Sequence, residues 1–279
     1  MKTVRQLKTL ALIVAAIASH AAISAAPVTY WFSGQVDYFD NPSNTAPSGV
    51  AVGTPFVGRI SYDPAALYLG ETNDSGGGGY SVYYFTNTAS YSFTLYIAGH
   101  TISNFANSLY AGDIGIENNV SERDFYYAET GSALMMDGTN MVAGFLQASM
   151  YLGLTDTAAA ALTSTALPLG APVLSQYDEG GWFGLTVRNG NGTVNLASLG
   201  GPVSVISTNE IVLLGFRRIS ATTAEVAWPL YASGYTLQSA TNLTIPNWQN
   251  VGTAVVTTAT EHTVTVSTTG TPEFFRLKK

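Results

Sequence analysis

Large apolar and small polar residues alternate with a period of two along most of this chain. The clearest run is 90–98, where Tyr91, Phe93, Leu95 and Ile97 fall on one side and Ser92, Thr94 and Tyr96 on the other. Successive side chains of an extended backbone point to opposite faces, so this pattern predicts a strand with one buried face. Residues 28–38 alternate in the same way, with Gly34 marking a bulge or a point of close packing. Further strands are predicted over 54–63, 80–86, 181–188 and 193–205. Ile114-Gly115-Ile116-Glu117-Asn118-Asn119 and Phe125-Tyr126-Tyr127 read as the two arms of a hairpin. Within 141–154 a helix and a strand compete; Leu146, Ala148, Met150 and Leu152 share one face of an extended chain, which favours the strand. Residues 158–162 are the one predicted helical turn, and 70–79, with four consecutive glycines, is a predicted loop.

Many short strands separated by turn formers indicate a sandwich or barrel. The pattern changes near Ser207-Thr208-Asn209: Tyr, Gly and Ala dominate before it, and a tighter Thr-rich alternation follows. The expected fold is therefore all-β with two sandwich-like domains, a larger jelly-roll-like one over 27–207 and a small one over 209–279. Six strands are expected in the second: 211–216, 224–228, 235–239, 248–251, 263–267 and 274–278.

Composition supports strands over helices. Apolar residues make up 46% of the 279 and charged residues only 10%, against a usual charged share of about 25%. Ser, Thr, Asn and Gly must then cover the surface, and these favour turns and strands. The first 25 residues have the order of a signal peptide: Lys2, Arg5 and Lys8, a short apolar core over 10–17, and small residues up to Ala26. Cleavage near Ala25 is expected, giving a secreted or cell-surface protein. The apolar core is shorter than the roughly 20 residues that cross a bilayer, and no other stretch is longer, so no membrane span is expected after cleavage. Removing that segment leaves eight basic against 18 acidic residues, a net charge of −10. An acidic chain without a basic cluster is a poor partner for nucleic acid. Cysteine is absent, which excludes disulfides, thiolate metal sites and cysteine nucleophiles.

Two resemblances carry further expectations. Tyr30-x-Phe32-Ser33-Gly34-x-Val36, Val52-Gly53-x-Pro55-Phe56-x-Gly58-x-Ile60-Ser61-Tyr62-Asp63, Ile114-x-Ile116-x-Asn118-Asn119, and Ala166-Leu167-Pro168 with Leu174-Ser175 resemble exported bacterial proteins best known from members with a PEP-CTERM sorting tail. This likeness covers about 28–205 and brings no established activity. The Pro-Glu-Pro, terminal apolar span and basic tail of that family are not found here, so exosortase-type anchoring is not implied. Val226-x-Trp228-Pro229, Gly234-Tyr235-x-Leu237-Gln238, Asn242-Leu243, Trp248 and Phe274-Phe275-Arg276-Leu277 resemble a C-terminal module of large exported verrucomicrobial and planctomycete-like proteins, similar to a fibronectin type III domain. The likeness implies an open sheet edge at the last strand, able to dock on a partner or on the first domain.

Candidate chemistry is sparse. Beyond the leader, the histidines are His100, at a turn, and His262, at a strand edge; no Gly-x-Ser-x-Gly elbow, zinc motif or phosphate loop accompanies them. No enzyme is expected and no cofactor is required. Asp113, Asn118, Asn119 and Asp124 offer the hard oxygens that Ca²⁺ prefers and make calcium the one candidate ion. Trp31, Trp228 and Trp248 lie in strand-like settings, whereas Trp182 follows the loop Glu179-Gly180-Gly181; Trp182 with Tyr177 is the candidate sugar-stacking pair. The sequence thus describes an exported, non-catalytic structural or adhesion protein of the cell surface or matrix, with a carbohydrate-binding module as the alternative and a glycosidase-like enzyme as a weaker third. A cell-surface protein or a polysaccharide is the expected partner.

Overall fold

The computed structural model describes residues 26–66, 68–74, 78–105, 110–131, 133–141, 147–270 and 273–279. The signal segment 1–25 lies outside the described residues, as does Leu146. The chain is all-β: among the described residues the one helical element is a single 3-10 turn, Leu174–Gln176. The first fourteen strands are β1 (Val28–Gln35), β2 (Tyr38–Asp40), β3 (Pro55–Tyr62), β4 (Tyr68–Asp74), β5 (Gly79–Phe85), β6 (Tyr91–Ile97), β7 (His100–Asn104), β8 (Gly112–Val120), β9 (Arg123–Thr130), β10 (Leu134–Met136), β11 (Thr139–Asn140), β12 (Gln147–Asp156), β13 (Gly180–Arg188) and β14 (Asn195–Ser207). They form one antiparallel sheet in the order β11-β10-β7-β6-β3-β1-β14-β13-β12-β9-β8-β5-β4, with β2 also paired to β14.

The sheet curls over on itself, because its two halves share one core. Tyr30 on β1 and Tyr126 on β9 join hydroxyls at 2.6 Å in the interior. Phe32, Phe56, Phe93 and Phe183 cluster with ring centroids 4.9 to 6.3 Å apart. Phe85 on β5 stacks on Tyr91 of β6 at 5.1 Å, although these strands lie near opposite ends of the sheet. Each such ring removed from water stabilises the fold by about 1.5–3 kcal/mol. The alternation over 91–97 places Tyr91, Phe93, Leu95 and Ile97 in this core, and the predicted hairpin is β8–β9, with Ile114 opposite Ala128 and Ile116 opposite Tyr126. The register slips between Ser33 and Gly34, where a bulge interrupts the β1–β14 ladder.

Two local expectations are corrected. Part of the predicted loop 70–79 is strand: β4 pairs with β5, and residues 75–77 lie outside the described residues. The predicted helical turn over 158–162 is not a helix. The amides of Ala158, Ala160 and Ala161 donate to the Asp156 carboxylate at 2.7 to 3.1 Å, and that of Leu162 donates to Asp124 at 2.6 Å. A buried carboxylate outcompetes the intrahelical carbonyls that an Ala-rich run would otherwise use.

The remaining strands are β15 (Gly215–Arg218), β16 (Thr223–Pro229), β17 (Thr236–Ala240), β18 (Gln249–Asn250), β19 (Val256–Thr257), β20 (Glu261–Ser267) and β21 (Phe274–Lys278). They make two sheets, β15-β16-β20-β19 and β18-β17-β21, around a core that includes Val226, Trp228, Leu237, Val264 and Val266. Among the described residues strand β21 is at an edge, paired with β17. Tyr231 of this unit packs on Tyr96 at 4.0 Å and on Trp31 at 5.4 Å between ring centroids, so the smaller unit rests on the outer face of β1 and β6.

Candidate functional site

The ring contacts of the smaller unit fall on β1 and β6, and β8, β9 and β12 lie several strands away in the large sheet. Along β8, β9 and β12 the even-numbered residues point inward: Ile114, Ile116, Tyr126, Ala128, Met150, Leu152 and Leu154 are buried. The odd-numbered ones therefore share the outer face. Directly paired residues lie on the same face, so the ladders order them into rows. One row runs Tyr84, Asp113, Glu129, Tyr151, Gly184; the next runs Val82, Gly115, Tyr127, Gly153, Trp182. Phe125, Tyr127 and Tyr151 form a half-buried triangle with centroids 5.7, 6.1 and 6.4 Å apart. Their rings lie down on the sheet because glycine makes room: a Cβ at Gly115 would occupy the Tyr127 ring, and one at Gly153 would occupy the Tyr151 ring. Trp182 lies on the same face one strand further, its backbone two strand spacings or roughly 10 Å from Tyr127; its indole sits where a Cβ at Gly200 of β14 would go, and it is 42% exposed.

Polar groups border the triangle. A hollow of about 240 Å³ beside it is lined by the side chains of Tyr110, Glu129, Gln147, Ser149, Thr186 and Arg188. Asp113 is only 6% exposed. Burial first, and then the neighbouring Glu129 carboxylate, push its pKa up to about 7. The Tyr110 hydroxyl donates to Asp113 Oδ2, while Oδ1 has no hydrogen-bond partner among the described residues. Burial also raises Glu129, and Arg188 opposes that rise. The Tyr127 and Tyr151 phenols are held neutral well above their ordinary range, again by burial. The face thus combines flat apolar rings with neutral hydroxyls, an amide, carboxyls and two guanidiniums, Arg188 at the hollow and Arg123 over the Phe125 ring at 5.9 Å. Such a surface offers apolar rings for contact with C–H groups and polar groups that can exchange hydrogen bonds with hydroxyls.

The structure places the sequence candidates unevenly. Trp182 lies on this face. Tyr177 does not: it is 5% exposed and belongs to the core, so it cannot stack on a ligand beside Trp182. The four calcium candidates do not converge. Asp113 and Asn118 point to opposite faces of β8 and are about 17 Å apart along it. Asp124 is fully buried, and its oxygens accept the amides of Asn119 at 2.8 Å and Leu162 at 2.6 Å. Asn119 is exposed near the end of β8, where the register slips, with φ +53°. No calcium site is formed by this set, and among the described residues no group of three or more His, Asp or Glu is placed to hold a metal ion. Asp124 instead pairs across the strands with Asp156, itself buried; between them they accept five backbone amides and clamp the segment after β12.

One constellation escaped the sequence reading. His100 Nδ1 is 2.7 Å from Asp137 Oδ2, and its Nε2 is 3.0 Å from Ser48 Oγ. The three residues come from three separate turns and border a cleft of about 850 Å³ between the two units. Their sequence contexts, Pro47-Ser48-Gly49, Gly99-His100 and Asp137-Gly138, each read as a surface turn, and only the β7–β10 pairing brings His100 and Asp137 together. Among the described residues no helix is long and apolar enough to cross a membrane. No family model matches the chain, and neither a curated protein nor a solved structure does.

Proposed function

We propose that this is an exported protein of the cell surface or extracellular matrix that binds carbohydrate through the outer face of β8, β9, β12 and β13. The observation that carries the reading is the triangle of Phe125, Tyr127 and Tyr151, with the Tyr127 and Tyr151 rings over Gly115 and Gly153, beside a polar hollow and with Trp182 exposed on the same face. Large rings at the surface cost solvation that a purely structural coat would avoid, and their flatness matches the face of a sugar better than the shape of a protein side chain. The mixture of Glu117 and Glu129 with Arg123 and Arg188 fits an uncharged glycan rather than a polyanion. The signal-like first 25 residues support export, and the two-unit β architecture supports a surface or matrix setting. Glycan-array screening of residues 26–279, followed by titration of the best hit, tests the proposal. Binding that weakens at least about fivefold in Trp182→Ala and Tyr151→Ala supports it, since stacking of a flat ring on an aromatic side chain, as for nucleobases, is worth about 1–3 kcal/mol by alanine substitution. An array without hits, or variants that bind as well as the parent, leaves a structural coat protein in its place.

A further inference from the structure

We propose a second, independent site: Ser48, His100 and Asp137 form a nucleophilic hydrolase centre at the mouth of the interdomain cleft, acting on uncharged esters with an apolar acyl group. The β6–β7 hairpin turns through Ala98 (φ +49°) and Gly99 (φ +82°), which sets His100 at the first position of β7. The β10–β11 hairpin turns through Asp137 (φ +51°) and Gly138 (φ +78°). Because β10 pairs with β7, the Thr101 amide donates to Asp137 Oδ1 at 2.8 Å while His100 Nδ1 meets Oδ2 at 2.7 Å. Partial burial opposes ionisation of Asp137, but the Thr101 amide and His100 together hold its carboxyl below the usual range. An ionised Asp137 carries no proton, so Nδ1 must be the donor. In the neutral ring Nε2 is then the acceptor, and it faces the Ser48 hydroxyl. This is the tautomer that a serine nucleophile requires.

The reaction balances with water alone. Ser48 Oγ attacks the ester carbonyl as its proton passes to His100 Nε2. The tetrahedral adduct collapses, the C–O bond breaks, and the imidazolium protonates the departing alkoxide. Water then attacks the acyl-enzyme, giving up a proton to Nε2; collapse releases the acid and returns that proton to Ser48. Asp137 acts through His100 as a positioning residue. Ser48 and Asp137 are exposed, so water reaches the acyl-enzyme. Substrate class follows from the walls. Pro55, Val57, Ile97, Leu213 and Leu230 supply apolar surface, no Lys or Arg lines the cleft among the described residues, and with Glu261 paired to Arg217 at 2.7 Å, Asp137 is the carboxylate that faces it. Phosphate esters and esters that carry a free carboxylate are therefore disfavoured, and the volume suits a small acyl or aryl ester.

The test is covalent labelling of the full chain with a fluorophosphonate probe, with peptide mass mapping and hydrolysis of 4-nitrophenyl butyrate in parallel. The expected result is a single adduct on Ser48 that is absent in Ser48→Ala. In His100→Ala labelling falls about 100-fold or more and returns on adding imidazole. In Asp137→Asn it falls at least about tenfold, and Asp137→Glu recovers part of the loss. Unchanged circular dichroism and melting temperature certify that the variants fold. A folded parent that takes no label, a label on another residue, or a Ser48→Ala variant with full esterase rate would overturn the proposal and leave the hydrogen-bond chain as a tie between three turns.

Discussion

Asp113 shows how a single side chain couples to its surroundings. Its carboxyl is buried among tyrosines and faces Glu129, so its folded pKa of about 7 lies above the ordinary value of 3.8. A carboxyl raised in the folded state binds a proton there that the unfolded chain has already lost. Its contribution is fully present below pH 4 and disappears as pH rises through 7. Three pH units of separation correspond to roughly 4 kcal/mol. Asp113→Asn is therefore expected to flatten the fall in stability between pH 4 and 7, and to raise the unfolding free energy at pH 8 by roughly 2–4 kcal/mol. Urea unfolding across that range checks it, and an unchanged pH slope would count against this role. At this scale the sequence was partly legible. Trp182 stood out because glycines precede it. Phe125-Tyr126-Tyr127 could not be parsed, since alternation shows that the middle ring opposes its neighbours but not which face meets solvent. Asp113 and Asn118 looked close in sequence, but five steps along a strand carry them far apart and onto opposite faces.

Among the elements, β8, β9 and β12 do the positioning. Gly115 and Gly153 let the Tyr127 and Tyr151 rings lie flat. Gly115→Ala is expected to lift Tyr127 off the sheet, costing about 1–3 kcal/mol of stability and weakening glycan binding together with it; calorimetric titration and thermal melting read both. The segment after β12 depends on two carboxylates instead. Asp124→Ala strips the amides of Asn119 and Leu162 of their acceptor and should destabilise by about 3 kcal/mol, the worth of two charge-assisted bonds, measurable by urea denaturation. The strands themselves were readable because period-two alternation follows directly from having one buried face. The false helical turn over 158–162 was not, because alanine's local preference says nothing about a carboxylate arriving from β9, 38 residues away. The hydrogen-bond chain from Ser48 to Asp137 was hidden for the same reason: three ordinary turns acquire chemistry only once a distant ladder aligns them.

Across the whole molecule, one curled fourteen-strand sheet carries the aromatic triangle on β9 and β12 and the smaller unit against β1 and β6. Strand β14 ends at Ser207, near the change in texture of the sequence, and the buried residues fall into two clusters, one on either side of it. Their mutual packing through Trp31, Tyr96 and Tyr231 was invisible, since each ring fits an ordinary strand pattern. Tyr231→Ala should uncouple the two cores, so that a single calorimetric unfolding transition splits into two; one undivided transition would show that the stack does not hold the units together. The most direct test of the central claim is isothermal titration of the best array-selected neutral oligosaccharide into wild-type protein and into the Tyr151→Ala, Trp182→Ala double variant. Saturable binding to the wild type that is lost in a folded double variant is the predicted result. Equal affinity for the two proteins would contradict the assignment of this face as the carbohydrate site.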